Sequence, residues 1–160
     1  GMKAYKIKLL GRTLKDEDGK ICASVAPCLI PEGELIAHVD GVMNGISIRS
    51  NATGEVVFYG AGAGKMPTAA AVLADVAAAA KDPSCGKAFF WRDCSPGLVG
   101  DADRLVTRWY IRAAANETVP GEKIGENSTS AAFITESADR AGAAKLAEGC
   151  QVQAMFRILT

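Results

Sequence analysis

Residues 58–69 read Phe58-Tyr59-Gly60-Ala61-Gly62-Ala63-Gly64-Lys65-Met66-Pro67-Thr68-Ala69, and this run separates two kinds of sequence. Glycine alternates with alanine through positions 60–64, so every side chain in that stretch is small. Pro67 suits the first turn of a helix, where its missing N–H costs no hydrogen bond. The alanine-rich run 68–81 has high helix propensity. The segment therefore predicts a strand, a glycine loop and a helix.

Upstream of the loop, the sequence first alternates apolar and polar residues on either side of a turn. Residues 3–10 and 20–26 both alternate with the period of a half-buried strand, and an Asp-Gly pair lies between them at 18–19. The apolar side chains of the first run share one face: Tyr5, Ile7 and Leu9. The two runs predict an antiparallel hairpin.

A second hairpin is predicted closer to the glycine loop. Pro27 and Pro31 predict an end to the first sheet and a loop as far as Gly41, because proline cannot donate to a strand ladder. Residues 42–50 and 55–59 then alternate again around a turn. The first sixty residues are therefore predicted to be mostly antiparallel sheet.

The second half of the sequence predicts further strands and one helix. Residues 82–103 carry several prolines and glycines, which is typical of a linker. The elements predicted after it are a strand at 104–112, a loop at 115–130, a short strand at 131–134, a helix from an N-cap at Ser137 to about Glu148, and a strand at 150–159. The predicted fold class is α+β.

Composition excludes several classes of partner. The chain has 160 residues with 18 basic and 18 acidic side chains, and a zero net charge argues against nucleic acid or an anionic membrane as partner. No apolar run approaches the roughly 20 residues that span a bilayer.

Gly1 is interpreted as a tag remnant, and no signal peptide is recognised. The five cysteines form no CxxC pair, which favours reduced thiols in the cytoplasm over disulfides or a metal site.

The glycine loop permits two interpretations. Glycines allow a ligand to approach the backbone closely, and the free N–H groups at a helix start favour an anion such as phosphate. The run is neither a P-loop nor a Rossmann fingerprint, because glycines and a hydroxyl residue that those motifs need are missing. A tight strand-to-helix connection without a ligand is about equally compatible with the residues.

The lone histidine, His38, is interpreted as an ordinary loop residue, and Trp91 and Trp109 as core or interface anchors.

Four stretches together resemble the homoserine dehydrogenase family. They read "AYKIKLLG", "VAPCLIP", "HVDGVMNGISIRSNATGEVVFYG" and "FYGAGAGKMPTAAAVLADV", in the order and spacing of the family. The resemblance implies that the glycine loop lines a nicotinamide cofactor, NAD(P), in the intact enzyme. The implied cofactor contacts are Gly60, Gly62, Ala63, Gly64 and Thr68. It also implies that the nucleotide-binding domain, the lysine base and the acids that hold substrate lie outside this chain, which would contribute no catalytic residue.

The second half resembles the ACT module, a small regulatory fold, through "RLVTRWYIRAA" and "AAFITESADRAGAAKLAEGCQVQAMFRIL". The resemblance implies an incomplete ferredoxin-like β-β-α-β unit, in which residues 114–117 replace a glycine-bearing turn. The implied domains are 1–81, the end of a catalytic and dimerisation domain; 82–103, a linker; and 104–160, a degenerate ACT-like domain.

The two resemblances imply a fragment of an oxidoreductase that interconverts L-homoserine and L-aspartate 4-semialdehyde, in threonine and methionine biosynthesis. The chain alone is expected to be inactive and to form a homo-oligomer in the cytoplasm, and the family resemblance implies a dimer. The alternative is a non-enzymatic ACT-type module that binds an amino acid or promotes assembly.

Overall fold

The computed structural model describes residues 4–83 and 93–159, and it shows an α+β fold in which most strand pairs are antiparallel. The described residues form a six-stranded sheet, a two-stranded sheet and two α-helices. They divide into two compact units. The first contains Gly1–Gly33 and Ser95–Thr160, and the second contains Glu34–Cys94. These units do not coincide with the domains 1–81, 82–103 and 104–160, which remain a prediction.

The first hairpin is longer than predicted. Strands β1 (Tyr5–Lys15) and β2 (Ile21–Pro31) pair along their whole length, so the expected loop after Pro27 is wrong. The last strand of the chain also lies beside β2, but it pairs with β2 only at Cys28 and Leu29. No strand on that edge therefore needs a hydrogen bond from position 27, so proline is tolerated there.

The apolar face of β1 was expected to be half-buried, and this expectation is wrong in part. Ile7 and Leu9 are 60% and 74% exposed, whereas the side chains of Lys6 and Lys8 on the opposite face are half-buried. The alternation of the strand is as predicted. Tyr5, on the same face as Ile7 and Leu9, is half-buried and packs against the cluster of Leu29, Ile134 and Ile158, so this face is covered only near the start of β1.

The hairpin joins a sheet built by the second half of the chain. The further strands of that sheet are β5 (Trp109–Ala114), β6 (Glu122–Glu126), β7 (Ser130–Ile134) and β8 (Val152–Ile158). The order across the sheet is β1-β2-β8-β5-β7-β6, with β2 and β8 parallel. Helix α2 (Arg140–Leu146) contributes to the core of this unit. That core consists of Trp109, Ile111, Ala113, Val119, Ala131, Phe133, Ala143 and Ala147.

Three predictions in this half need correction. The predicted loop 115–130 contains β6, which pairs with β7, so the unit has one strand more than the β-β-α-β pattern. The predicted strand 104–112 starts only at Trp109, because Ala102–Arg104 form a 3-10 turn. The N-cap of α2 is Asp139 and not Ser137: the Asp139 carboxylate accepts a hydrogen bond from the Gly142 N–H at 2.7 Å.

The second unit consists of the other hairpin and the alanine-rich helix. Strands β3 (Met43–Ser50) and β4 (Gly54–Ala61) pair around the predicted turn, and α1 (Lys65–Lys81) follows. A short 3-10 helix, Leu35–His38, precedes the hairpin. Helix α1 contains no buried residue, and neither helix of the described part of the chain is long and apolar enough to cross a membrane.

The end of the segment 82–103, which is predicted to be a linker, hydrogen-bonds to the first hairpin. Leu98 and Gly100 hydrogen-bond through their backbones to Ile21, so the last part of 82–103 adds to the edge of the first unit. Trp91 and Cys85 lie outside the described residues. Trp109, 2% exposed, is confirmed as a core residue.

Candidate functional site

The five predicted cofactor contacts lie in one exposed stretch, at the end of β4 and the start of α1. Gly60 is still part of the strand and pairs with Asn44, whereas Gly64 is the N-cap of the helix. The residues between them form the connection, and Thr68 lies in the first turn of α1. All five side chains or Cα positions are exposed, so the structure leaves this stretch accessible.

The three glycines of the loop occupy three different local environments. A Cβ on Gly62 would lie 1.5 Å from the nitrogen of the exposed Asn44 side chain, so a side chain at position 62 would require the Asn44 amide to move. Gly64 has a φ of 121°, a conformation that favours glycine. A Cβ on Gly60 would meet no atom of the described chain within 4 Å. Of the three glycines, only Gly60 lies where a side chain would meet no neighbouring atom and would need no unusual φ.

The backbone donors of the loop are partly in use. The N–H groups of Gly62 and Ala63 both donate to the Val42 carbonyl, at 3.2 and 3.5 Å, and the Thr68 N–H donates to the Gly64 carbonyl at 3.2 Å. The N–H groups of these three residues are therefore engaged within the chain. For Thr68 the hydroxyl is the remaining polar candidate.

The start of α1 retains capacity for an anion. A helix leaves its first N–H groups without an intrahelical acceptor, and Gly64 supplies no side chain to cap them. The first turn contains no acidic residue, and the helix dipole places partial positive charge at this end. The N–H groups of Lys65 and Met66 are the donors that this geometry provides.

Asn44 is a neighbour of the glycine loop that the sequence interpretation did not name. It lies on β3 opposite Gly60, and its amide packs against Gly62. The signal was present in the sequence: once the turn at 51–53 is accepted, counting back along the hairpin places position 44 beside position 60.

Other candidate residues do not gather into a site. His38 lies exposed at the end of its 3-10 helix. In residues 4–83 and 93–159, no three His, Cys, Asp or Glu side chains come together in a way that could hold a metal ion.

Comparison with known proteins points to one family for the first half. A family model described as homoserine dehydrogenase matches residues 2–77. The Neisseria gonorrhoeae homoserine dehydrogenase is 54% identical over 72 residues, which are 45% of this chain and 16% of that protein. The Lactococcus lactis homoserine dehydrogenase is 44% identical over 110 residues, 67% of this chain and 25% of that protein. The chain thus spans a quarter or less of the length of these relatives.

Solved structures show the same fold over nearly the whole chain. A Thiobacillus denitrificans homoserine dehydrogenase superimposes with a TM-score of 0.76 and 26% identity, covering 97% of this chain and 42% of that one. A Staphylococcus aureus homoserine dehydrogenase, at 22% identity and a TM-score of 0.66, supports the fold. The similarity in fold therefore extends through the second half, beyond the family-model match at residues 2–77.

Proposed function

We propose that this chain, whose residues 2–77 match the homoserine dehydrogenase family model, is the part of such an enzyme that presents the glycine loop to NAD(P). The proposed reaction of the whole enzyme is the interconversion of L-homoserine and L-aspartate 4-semialdehyde, in threonine and methionine biosynthesis. The observation that supports the cofactor contact is Gly60, whose missing side chain leaves space that no described residue fills.

Each residue of the loop has a definite part in this proposal. Gly60 provides close approach, Gly64 provides the turn into α1, and the helix start provides N–H donors for an anionic group. Gly62 and Ala63 hold the loop to β3 through the Val42 carbonyl, and thus act by positioning. The Thr68 hydroxyl is the candidate polar contact. The nicotinamide group, when bound, supplies the hydride chemistry. The lysine base and the acids that hold substrate are placed outside this chain, which alone is inactive.

The exposed apolar residues of the second unit suggest where the rest of the enzyme lies. Val72, Leu73 and Val76 share one side of α1 at helical spacing and are 57–67% exposed, which suits packing against the missing nucleotide-binding domain. On the β3–β4 hairpin, Ile46 pairs with Phe58 and both are 59% exposed. This face is proposed to form a homodimer. The proposed location is the cytoplasm.

The second half is proposed to be a degenerate ACT-like domain, at 104–160, joined by the linker 82–103 to a catalytic and dimerisation part at 1–81. The order β8-β5-β7-β6 supports this proposal, because these four strands are adjacent in the sheet and α2 contributes to the core that β5 and β7 build. The same observation supports the alternative function, a non-enzymatic module that binds an amino acid or promotes assembly. Calorimetry with threonine, homoserine and NADP separates the two: binding of threonine alone favours the module.

The cofactor contact is tested by transplanting the segment. Residues 4–81 replace the corresponding part of the Lactococcus lactis relative, and Gly60→Val and Gly62→Val are made in that hybrid. Valine suits the strand position of Gly60, so its melting temperature should hardly change while the Michaelis constant for NAD(P) rises more than tenfold, a loss above about 1.4 kcal/mol. Gly62→Val should lower the melting temperature as well, because the new side chain collides with Asn44. A Gly60→Val hybrid with unchanged cofactor kinetics contradicts the proposal, as does NADPH formation from homoserine by the 160-residue chain alone.

A further inference from the structure

A carboxylate of the chain itself closes the turn after β5. The Glu117 Oε2 atom accepts hydrogen bonds from the Ala114 N–H at 3.1 Å and from the Gln151 N–H at 2.8 Å, and Oε1 lies 3.0 Å from the same Gln151 nitrogen. In return, the Glu117 N–H donates to the Ala114 carbonyl at 3.0 Å. One side chain therefore fastens the end of β5 to the residue that precedes β8.

The two donors occupy a special position in the sheet. The register between β5 and β8 ends with Ala113 opposite Val152, so Ala114 and Gln151 are the next residues beyond that ladder. A backbone N–H that leaves a ladder needs another acceptor or water. Here one carboxylate reaches both, and hydrogen bonds to an ionised acceptor are stronger than those between neutral groups.

The backbone N–H groups of the residues on either side of Gln151 donate to carbonyls close by in the sequence. The Cys150 N–H donates to the Ala147 carbonyl at 3.1 Å, and the Val152 N–H donates to the Cys150 carbonyl at 3.0 Å. Among residues 150–152, it is the Gln151 N–H that donates to Glu117, beside the last residue of β5. Because Glu117 is partly buried, its carboxylate is held in the niche and not extended into solvent.

We propose that the backbone N–H groups of Ala114 and Gln151 form a binding niche for a single carboxylate, which Glu117 fills in cis. When that side chain is removed, the niche accepts a small external monocarboxylate of the size of propionate. The inference rests on hydrogen bonds within the first unit and is independent of the proposed dehydrogenase role.

The test is chemical rescue of Glu117→Ala in the full chain. The variant should melt about 5 °C below the wild-type chain, since it loses hydrogen bonds to a charged acceptor. Sodium propionate at constant ionic strength should restore part of that loss, whereas propionamide, which has the same shape without the charge, should not. Two controls should show no response to propionate: the wild-type chain, and Glu126→Ala, which removes an exposed carboxylate that pairs with Lys123.

The proposal is overturned if propionate fails to raise the melting temperature of Glu117→Ala, or raises that of the controls equally. If Glu117→Ala does not fold, the amide proton shifts of Ala114 and Gln151 are compared between the wild-type chain and Glu117→Gln. Both protons should move upfield when the acceptor loses its charge, and unchanged shifts overturn the proposal.

Discussion

The β5–β7–α2 region and the β3–β4–α1 region have similarly apolar sequences but opposite exposures. Trp109 and Ile111 are 2% and 0% exposed, whereas Phe58 and Leu73 are 59% and 67% exposed. The first region closes its own core with a sheet and a helix. The second presents apolar side chains from both its hairpin and its helix. An alternating pattern therefore specifies which face of an element is apolar, but not whether the same chain covers it.

The comparison also concerns stability. Most of the stability of a helix in a protein comes from packing of one face against other elements. Helix α1 has high propensity but no buried residue, whereas α2 is only seven residues long and buries Ala143 within the core. We therefore expect the free energy of unfolding of this chain to reside mainly in the first unit.

The largest difference between the two regions should appear on truncating one apolar side chain in each. Trp109 packs in the core, donates from Nε1 to the Ala138 carbonyl at 2.9 Å and stacks with the Arg157 guanidinium. Trp109→Ala should cost about 3–5 kcal/mol of unfolding free energy, whereas Leu73→Ala on α1 should change it by less than about 0.5 kcal/mol. Urea unfolding followed by circular dichroism measures both. Equal losses would show that α1 is covered in solution.

Two glycines of the first unit should respond differently to an added methyl group, because only one of them is constrained by its backbone and its neighbours. Gly121 has a φ of 142°, and an added Cβ would lie 2.3 Å from the Ile134 carbonyl oxygen. Gly121→Ala should therefore cost about 3 kcal/mol, from backbone strain and overpacking together. Gly125→Ala, on β6 with open space around it, should be neutral or slightly stabilising. Thermal melts of the two variants measure the difference, and similar melting temperatures would contradict this account of Gly121.

A smaller effect is expected on association through the β3–β4 face. The wild-type chain should self-associate, and Phe58→Lys should weaken the dimer at least tenfold, about 1.4 kcal/mol, by placing a charge in an apolar contact. Val106→Lys is the matched control, because Val106 is 63% exposed but lies in the first unit. Sedimentation velocity over a concentration series measures both. A wild-type chain that stays monomeric at high concentration argues against this interface.

The mildest test uses the thiols, which report local exposure without a large change in stability. Cys22 and Cys28 are buried and Cys94 is exposed, all with free thiols. Burial raises the pKa of the Cys28 thiol, an effect that Arg12 and Arg157 partly oppose, so less reactive thiolate is present at neutral pH. Iodoacetamide should label Cys94 first and Cys28 slowly, as followed by peptide mass spectrometry. Titration of the denatured chain without reductant should find all five thiols free.

The sequence predicted the local elements of the site better than its surroundings. The order of strand, glycine loop and helix around Gly64 is confirmed, since glycine and proline act on the backbone over a few residues. The Asn44 side chain beside Gly62 comes from another strand, and the local pattern around the loop did not indicate it. The strand β6 was missed because its five residues, Glu122–Glu126, are mostly polar and exposed, so they carry little apolar alternation.

Apolar alternation, turn residues and helix propensity were enough to specify both hairpins, α1 and the α+β class, because each acts within a short window of sequence. Tertiary structure alone decided that the first hairpin joins the last strand, with Cys28 opposite Arg157 and Leu29 opposite Ile158. It also decided that Lys6 and Lys8 of β1 are half-buried while Ile7 and Leu9 are exposed. Such pairings depend on backbone hydrogen bonds and packing between distant segments, and no local pattern encodes which distant segment will supply them.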